Sequence, residues 1–180
     1  EKRLEKQNRK KFCARIATEN YDAVIISQSQ FEKIPISPER QKRLLRQQIK
    51  EVIDGIEQME RNDGGHFSIR RMQRVQKSLE ARLSKLQAEK KKDNVVYFEE
   101  TGVDWLGVDE SDAYKNRAAN TKMRNVAGIS TTESQRAADM FAKCRYLDEL
   151  TGGRGVVFAS ATALSNSVTE LWVLQKYLQY

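Results

Sequence analysis

Three carboxylates fall within four residues of this chain, directly after a short apolar run. They are Asp109, Glu110 and Asp112. The preceding residues 105–108 read WLGV, which is typical of a buried strand. Ligand crevices in open α/β sheets form at the C-terminal ends of parallel strands. One carboxylate there can hold a magnesium ion that bridges phosphates, and a second can activate an attacking water. The other interpretation of the same residues is a solvated turn without chemistry.

The composition limits the kinds of site that the chain can build. Its 180 residues suffice for one domain with a core that needs no disulfide or metal. Cys13 and Cys144 are far apart in sequence and His66 is the single histidine, which excludes a Cys/His zinc site. The sequence has neither an apolar stretch that could span a bilayer nor a signal-peptide pattern. We therefore expect no membrane partner and a cytoplasmic location.

The net charge of +7 is unevenly distributed along the chain. Residues 38–93 contain fifteen Lys and Arg against nine Asp and Glu, whereas residues 94–180 contain nine against eleven. Clustered basic residues suit a polyanion such as nucleic acid. A solvated helical surface, whose charges only keep the protein soluble, is the alternative.

Residues 38–93 also carry two amphipathic stretches that predict a pair of long helices. Ser37 offers a capping hydroxyl and Pro38 suits the first helical position, while Ser68 can cap the second helix. The apolar residues recur at spacings of three and four. They are Leu45, Ile49, Val52, Ile56 and Met59 in the first stretch, and Met72, Val75, Leu79, Leu83 and Leu86 in the second. Matching stripes predict an antiparallel hairpin about 35 Å long with a basic surface.

The remainder of the chain predicts an α/β fold. Continuous apolar runs at 23–26, 105–109 and 155–159 are typical of strands covered on both faces in a parallel sheet. Helical patterns alternate with them. One ends near Thr18, one lies within 113–150 and is ended by Thr151-Gly152-Gly153, and a last one bears Leu171, Leu174 and Leu178. The predicted organisation is an α/β lobe formed by residues 1–37 and 94–180, with residues 38–93 inserted as a helical hairpin.

Two segments resemble motifs of superfamily-two helicases, and specifically of SWI/SNF-type ATPases. Motif II, the DEAD/DEAH box, ends a strand in Asp-Glu-x-Asp/His and in this branch continues into Lys-Asn. Here DESD at 109–112 is followed by AY and then by Lys115 and Asn116. Motif III in this branch begins with an apolar strand, which is followed by Thr-Gly-Thr-Pro, a short gap, an Asn and then Glu-Leu-Trp. The residues in register with it are Ser160, Ala161, Thr162, Asn166, Glu170, Leu171 and Trp172.

The resemblance implies a partial RecA-like sheet of the P-loop NTPase type, flanked by helices, in an ATP-binding hydrolase. Asp109 would hold magnesium through ATP, and Glu110 would activate water. Coupling of nucleotide state to duplex DNA would involve Asp112, Lys115, Asn116, Ser160, Ala161, Thr162 and Asn166. Two further segments, TKMRNVAGI and DMFAKCRYLDELTGGRGVVFAS, resemble helicase-like parts of large bacterial mobile-element and phage proteins, some of which carry an adenine-specific DNA methyltransferase region.

The chain also departs from this family pattern. Ser111 replaces Ala or Gly, Asp112 replaces His, and Ala161 and Ala163 replace the Gly and Pro of motif III. These changes leave both motif II carboxylates in place but predict weakened coupling of nucleotide to DNA. The sequence contains no G-x-x-x-x-G-K-[ST] run to cradle phosphates. We therefore expect a fragment that binds no ATP or Mg²⁺ alone and depends on a P-loop segment and a second RecA-like lobe of the same polypeptide.

Two other functions remain open from the sequence. One is a non-enzymatic module that binds nucleic acid or protein through the hairpin, on a degenerate helicase scaffold. The other is a magnesium-dependent nuclease that uses the carboxylates Asp104, Asp109, Glu110 and Asp112.

Overall fold

The computed structural model describes residues 6–61, 66–88, 95–115, 134–162 and 168–179. These ranges are mostly helical. The helices are α1 (Lys6–Thr18), α2 (Gln28–Phe31), α3 (Pro38–Arg61), α4 (His66–Ala88), α5 (Gln135–Thr151) and α6 (Val168–Leu178). The strands are β1 (Leu106–Val108) and β2 (Val156–Phe158), and short 3₁₀ helices span Phe98–Glu100 and Ser111–Tyr114.

β1 and β2 form a small parallel sheet. Leu106 is paired with Val156 and Val108 with Phe158, and α5 lies between the two strands in sequence. This confirms the α/β prediction and two of the three predicted strands. The expectation that the strands are covered on both faces is wrong, because the Val157 side chain is 50% exposed. One face of this sheet is therefore open to solvent within the described part of the chain.

The third predicted strand, at residues 23–26, is not formed. These residues have no assigned strand and make no backbone–backbone hydrogen bond with the described residues. Ile25 is 98% exposed and Val24 39% exposed, while Ile26 is partly buried against the core. A strand is stabilised by a ladder partner, and apolar residue types cannot replace one. The polar residues after the run instead begin the single-turn helix α2, whose Phe31 is buried in the core.

The core lies around α5, which is buried on all sides in its middle and packs against the sheet, α6 and the segment 31–36. Ala137, Met140, Phe141, Cys144 and Leu147 are all buried on this helix. Ser134 caps its N-terminus by accepting a hydrogen bond from the Ala137 amide at 3.1 Å. The left-handed Gly152 ends it, as the sequence predicts for the Thr-Gly-Gly stop.

α6 presents a different face to this core than its leucines predict. Leu174 is buried, but Leu171 and Leu178 are exposed. Val173 and Tyr177 take their place. The Tyr177 hydroxyl donates to the backbone carbonyls of Tyr114 and Ala137, at 2.9 and 3.2 Å. A buried aromatic ring with a satisfied hydroxyl therefore decides the orientation of the helix.

α3 and α4 pack through the two predicted apolar stripes. Val52 is completely buried, and Leu45, Ile56 and Leu79 join it in a cluster separate from the core around α5. The Ser37 hydroxyl accepts from the Arg40 amide at 3.4 Å, as expected of a cap. α4 begins at His66, two residues before the predicted cap Ser68. No helix among the described residues is long and apolar enough to cross a bilayer.

Salt bridges anchor the base of α3 to the rest of the chain. Arg40 and Arg43 both contact Glu149 on α5, at 2.9 and 2.7 Å. The Ser37 hydroxyl donates to the Glu99 carboxylate at 2.7 Å. The guanidinium of Arg40 also lies 4.9 Å from the ring centre of Tyr146. The helical pair is therefore held at the end where it joins the α/β part.

Both cysteines are expected to resist thiol reagents in the folded protein. Cys13 and Cys144 are 1% and 0% exposed. Burial raises the pKa of the Cys13 thiol, and only the thiolate reacts. Labelling with a chromogenic disulfide should be at least about 100-fold slower than in denaturant, because it requires opening of the core. One equivalent of fast-reacting thiol in the native protein would contradict this packing.

Candidate functional site

The carboxylates predicted to do chemistry lie at the C-terminal end of β1. Asp109 and Glu110 follow the last strand residue and are exposed. At the same edge, β2 continues into Ala159, whose amide donates to the Val108 carbonyl at 2.8 Å. The Ser111 amide in turn donates to the Ala159 carbonyl at 3.0 Å. Parallel pairing thus brings the acidic turn beside the segment that begins at residue 160, as the two sequence motifs predict.

Glu110 has an unusual backbone conformation. Its φ and ψ angles are 52° and 49°, in the left-handed region, and no other described non-glycine residue has a positive φ. This conformation costs a non-glycine residue about 1–2 kcal/mol. Such strain is concentrated at functional sites, where it orients a side chain. The strained residue here is the one that the motif resemblance identifies as the water-activating carboxylate.

Asp109 has the donor chemistry that a magnesium site requires. Its Oδ1 accepts the Glu110 amide at 3.0 Å, while Oδ2 makes no hydrogen bond with the described residues. A free carboxylate oxygen suits Mg²⁺, which prefers hard oxygen ligands and takes the others from phosphates and water. No group of three or more His, Cys, Asp or Glu in the described ranges could hold a metal by itself. Asp109 can therefore contribute at most one carboxylate group to a metal site at this edge of the sheet.

Lys115 joins the acidic turn to the start of α6. Its Nζ lies 3.4 Å from Oε2 of Glu170, which is 4% exposed and sits in the first turn of α6. The two residues are 55 positions apart and belong to the segments that resemble motifs II and III. The sequence predicts both motif registers but contains no indication of this ion pair. Asn116 and Asn166, the neighbouring predicted site residues, lie outside the described residues.

Ser160, Ala161 and Thr162 follow β2 as a bend at this same edge. The Thr162 amide donates to the Ser160 hydroxyl at 3.2 Å. The sequence also allows both hydroxyls to cap the last helix. A test of that alternative falls on residues 163–167, which lie between the bend and Val168 and outside the described residues. Ala161 and Thr162 are exposed, so this bend is accessible at the end of the sheet.

A polar network behind the acidic turn was not predicted. Nε2 of Gln28 donates to the Asp109 carbonyl at 2.6 Å, across 81 residues of sequence. Nη2 of Arg136 donates to Oε1 of Gln28 at 2.6 Å, and Arg136 also forms an ion pair with Glu32. Ser27 to Gln30 are polar residues that follow the apolar run at 23–26, but no sequence pattern singles out Arg136.

The left-handed conformation of Glu110 predicts that glycine is more stabilising than alanine at this position, the reverse of the usual order in a helix. Both substitutions remove the carboxylate, but only glycine adopts a left-handed conformation freely. Glu110→Gly should therefore be more stable than Glu110→Ala by about 1 kcal/mol in chemical denaturation. The matched pair at Glu80, in the middle of α4, should show the opposite order by about 1 kcal/mol. If alanine and glycine had the same order of stability at both positions, the left-handed conformation of Glu110 would be contradicted.

Comparison with known proteins adds a family to this geometry. Curated proteins and solved structures gave no match. A family model described as a probable helicase domain matches residues 1–180, which is the whole of the sequence. The match includes the acidic turn after β1, the bend after β2 and the helical pair that separates α2 from β1. The chain therefore belongs to the probable helicase domain family.

Proposed function

We propose that this chain is part of the first RecA-like lobe of a SWI/SNF-type, ATP-dependent DNA translocase or helicase. The observation that carries the proposal is the parallel pairing of β1 with β2, which places Asp109 and Glu110 beside the bend at 160–162. Membership of a helicase family supports the general class. The order and spacing of the residues that resemble motifs II and III support the SWI/SNF branch.

In this proposal each residue of the site has one role. Asp109 would hold a magnesium ion, which would supply positive charge to neutralise the ATP phosphates. Glu110 accepts the proton of the attacking water. Lys115 and Glu170 connect the acidic turn to α6, and Ser160 begins the bend that senses the nucleotide. The phosphates themselves need a P-loop, for which the sequence offers no candidate.

The test is ATP hydrolysis by the polypeptide that joins this chain to a P-loop segment and a second RecA-like lobe. We expect hydrolysis that rises when duplex DNA is added, and none from residues 1–180 alone. A natural polypeptide without a P-loop, or one that hydrolyses no ATP, would favour the interaction-module alternative. ATP hydrolysis that ignores DNA would contradict a DNA translocase. Magnesium-dependent cleavage of DNA by residues 1–180 without ATP would favour the nuclease.

We further propose that duplex DNA contacts α4 rather than α3. α4 contains six Lys and Arg and one Glu, whereas α3 contains six Lys and Arg and five Asp and Glu. Arg70, Arg74 and Lys77 are exposed and recur at spacings of four and three, so they share one face of α4. This face carries three basic side chains and suits the evenly charged phosphate backbone of DNA.

Removing three charges from this face should lower the affinity for DNA and make that affinity less dependent on salt concentration. The variant is Arg70→Gln, Arg74→Gln and Lys77→Gln. The variant would neutralise three fewer phosphates. The slope of log affinity against log salt concentration, measured by fluorescence anisotropy with duplex DNA, should therefore become shallower by about 2–3. The matched control removes three exposed charges from α3 by Arg46→Gln, Lys50→Gln and Arg61→Gln. An equal loss in both variants would indicate an effect of net charge only.

A further inference from the structure

The two peptide groups on either side of Glu110 are both held by hydrogen bonds, and the Gln28 amide donates to the carbonyls of both, at 2.6 and 3.4 Å. The peptide before it is held by Gln28, whose Nε2 donates to the Asp109 carbonyl at 2.6 Å. The peptide after it is held by β2, because the Ser111 amide donates to the Ala159 carbonyl at 3.0 Å. The φ and ψ angles of Glu110 are the rotations between these two planar groups. Holding both groups therefore maintains the left-handed conformation of Glu110.

The orientation of the Gln28 amide is itself determined by its neighbours. A glutamine side chain donates at one end and accepts at the other. Nη2 of Arg136 donates to Oε1 of Gln28 at 2.6 Å, which directs the NH₂ group of Gln28 towards Asp109. Arg136 is held by its ion pair with Glu32 and by the ring of Tyr114, 5.0 Å from the guanidinium carbon. The hydrogen bonds of the network therefore all run the same way, because Arg136 donates to Gln28 and Gln28 donates to the acidic turn.

We propose that Gln28 is a positioning residue for Glu110 and that Arg136 sets the orientation of the Gln28 amide. The inference rests on the proposed function, in which Glu110 activates water. A displacement of about 1 Å at a reacting group costs up to about 100-fold in rate. Without the donor at Gln28, the peptide before Glu110 is released, the residue relaxes towards a right-handed conformation, and its carboxylate leaves the attacking water.

The decisive variant is Gln28→Glu. It keeps the size of the side chain and the contact with Arg136, but places an oxygen where the donating NH₂ was. Gln30→Glu is the matched control, since it adds the same charge to the same short helix at a side chain that makes no hydrogen bond with the described residues. Gln28→Met, which lacks both polar ends, separates loss of the donor from addition of charge.

The first measurement is amide hydrogen exchange at Ser111, with global unfolding followed in parallel. Exchange at Ser111 should be about tenfold faster in Gln28→Glu and Gln28→Met, as expected for the loss of one hydrogen bond. It should be unchanged in Gln30→Glu. The free energy of global unfolding should fall by no more than about 1.4 kcal/mol in Gln28→Glu and Gln28→Met, the equivalent of that tenfold change, and should be unchanged in Gln30→Glu. A larger fall would indicate general destabilisation and would count against local release of the turn.

The second measurement uses the ATP-hydrolysing polypeptide. Gln28→Glu should lower kcat by about 10- to 100-fold and change KM for ATP by less than about twofold, because Gln28 acts through Glu110 and not on the substrate. Unchanged exchange at Ser111 together with unchanged kcat would overturn the inference. A wild-type polypeptide without ATPase activity would overturn the proposed function instead, and exchange at Ser111 would still decide whether Gln28 holds Glu110.

Discussion

Replacement of Lys143 by methionine is expected to lower the free energy of unfolding by about 3–5 kcal/mol, the range for breaking one side of a buried ion pair. The Lys143 side chain is completely buried. Its Nζ donates to Oδ2 of Asp139 at 2.6 Å and to the Phe31 carbonyl at 2.9 Å. Methionine fills similar space but leaves both acceptors without their donor. The Asp139 side chain is 23% exposed, so water relieves part of the loss and we expect the lower half of the range.

The stability lost in Lys143→Met should depend on pH, and the Asp139 carboxyl sets the direction of this dependence. Burial lowers the pKa of the Lys143 ammonium, and the nearby Asp139 carboxylate partly opposes this shift. Burial raises the pKa of the Asp139 carboxyl, and the nearby Lys143 ammonium partly opposes that shift. Without Lys143, the Asp139 pKa rises further. A carboxyl whose folded pKa is raised costs stability above that pKa, and the cost disappears as pH falls below its ordinary value of 3.8. Lys143→Met should therefore cost most near neutral pH and less at about pH 4.

Urea denaturation at the two pH values measures both parts of this prediction. Adding Asp139→Asn to Lys143→Met removes the unpaired charge and should recover about 1–3 kcal/mol at neutral pH. A loss below about 1 kcal/mol, or one that is independent of pH, would show that the pair is not buried as the structure has it.

Replacement of Glu110 by glutamine is the second large effect. In the ATP-hydrolysing polypeptide, kcat should fall by about 10²- to 10⁴-fold, the usual contribution of a general base. Glutamine has the same size and the same backbone strain as glutamate, but cannot accept the proton of the attacking water. KM for ATP should change little, because the phosphates are bound by other groups. Steady-state ATPase assays with saturating DNA measure both constants.

Asp104→Asn is the matched control for this experiment. Asp104 is exposed, precedes β1 and has no role in the proposed ATPase, whereas the nuclease alternative requires it. It should leave kcat within about twofold of wild type. If Glu110→Gln kept most of the activity, Glu110 would not be the base. If both variants lost the same activity, the acidic turn would act through its total charge.

The sequence by itself determined the elements whose information is local. Periodicity predicted the stripes of α3 and α4, because residues three and four apart share a helix face whatever the remainder of the chain does. Ser37 and the Thr-Gly-Gly stop predicted a helix start and a helix end. Apolar runs that end in polar residues predicted β1 and β2, whose C-terminal ends lie at one edge of the parallel sheet.

Only the tertiary structure decided the features that depend on distant partners. The run at 23–26 has the residue types of a strand but no ladder partner in the described chain, so its Ile25 is exposed. α6 turned Tyr177 inwards because carbonyls of two other segments accept its hydroxyl. The contacts that hold Glu110 in its left-handed conformation join residues 81 and 108 positions apart. Residue types specify which groups can bind each other, but the fold decides which of them are brought within hydrogen-bonding distance.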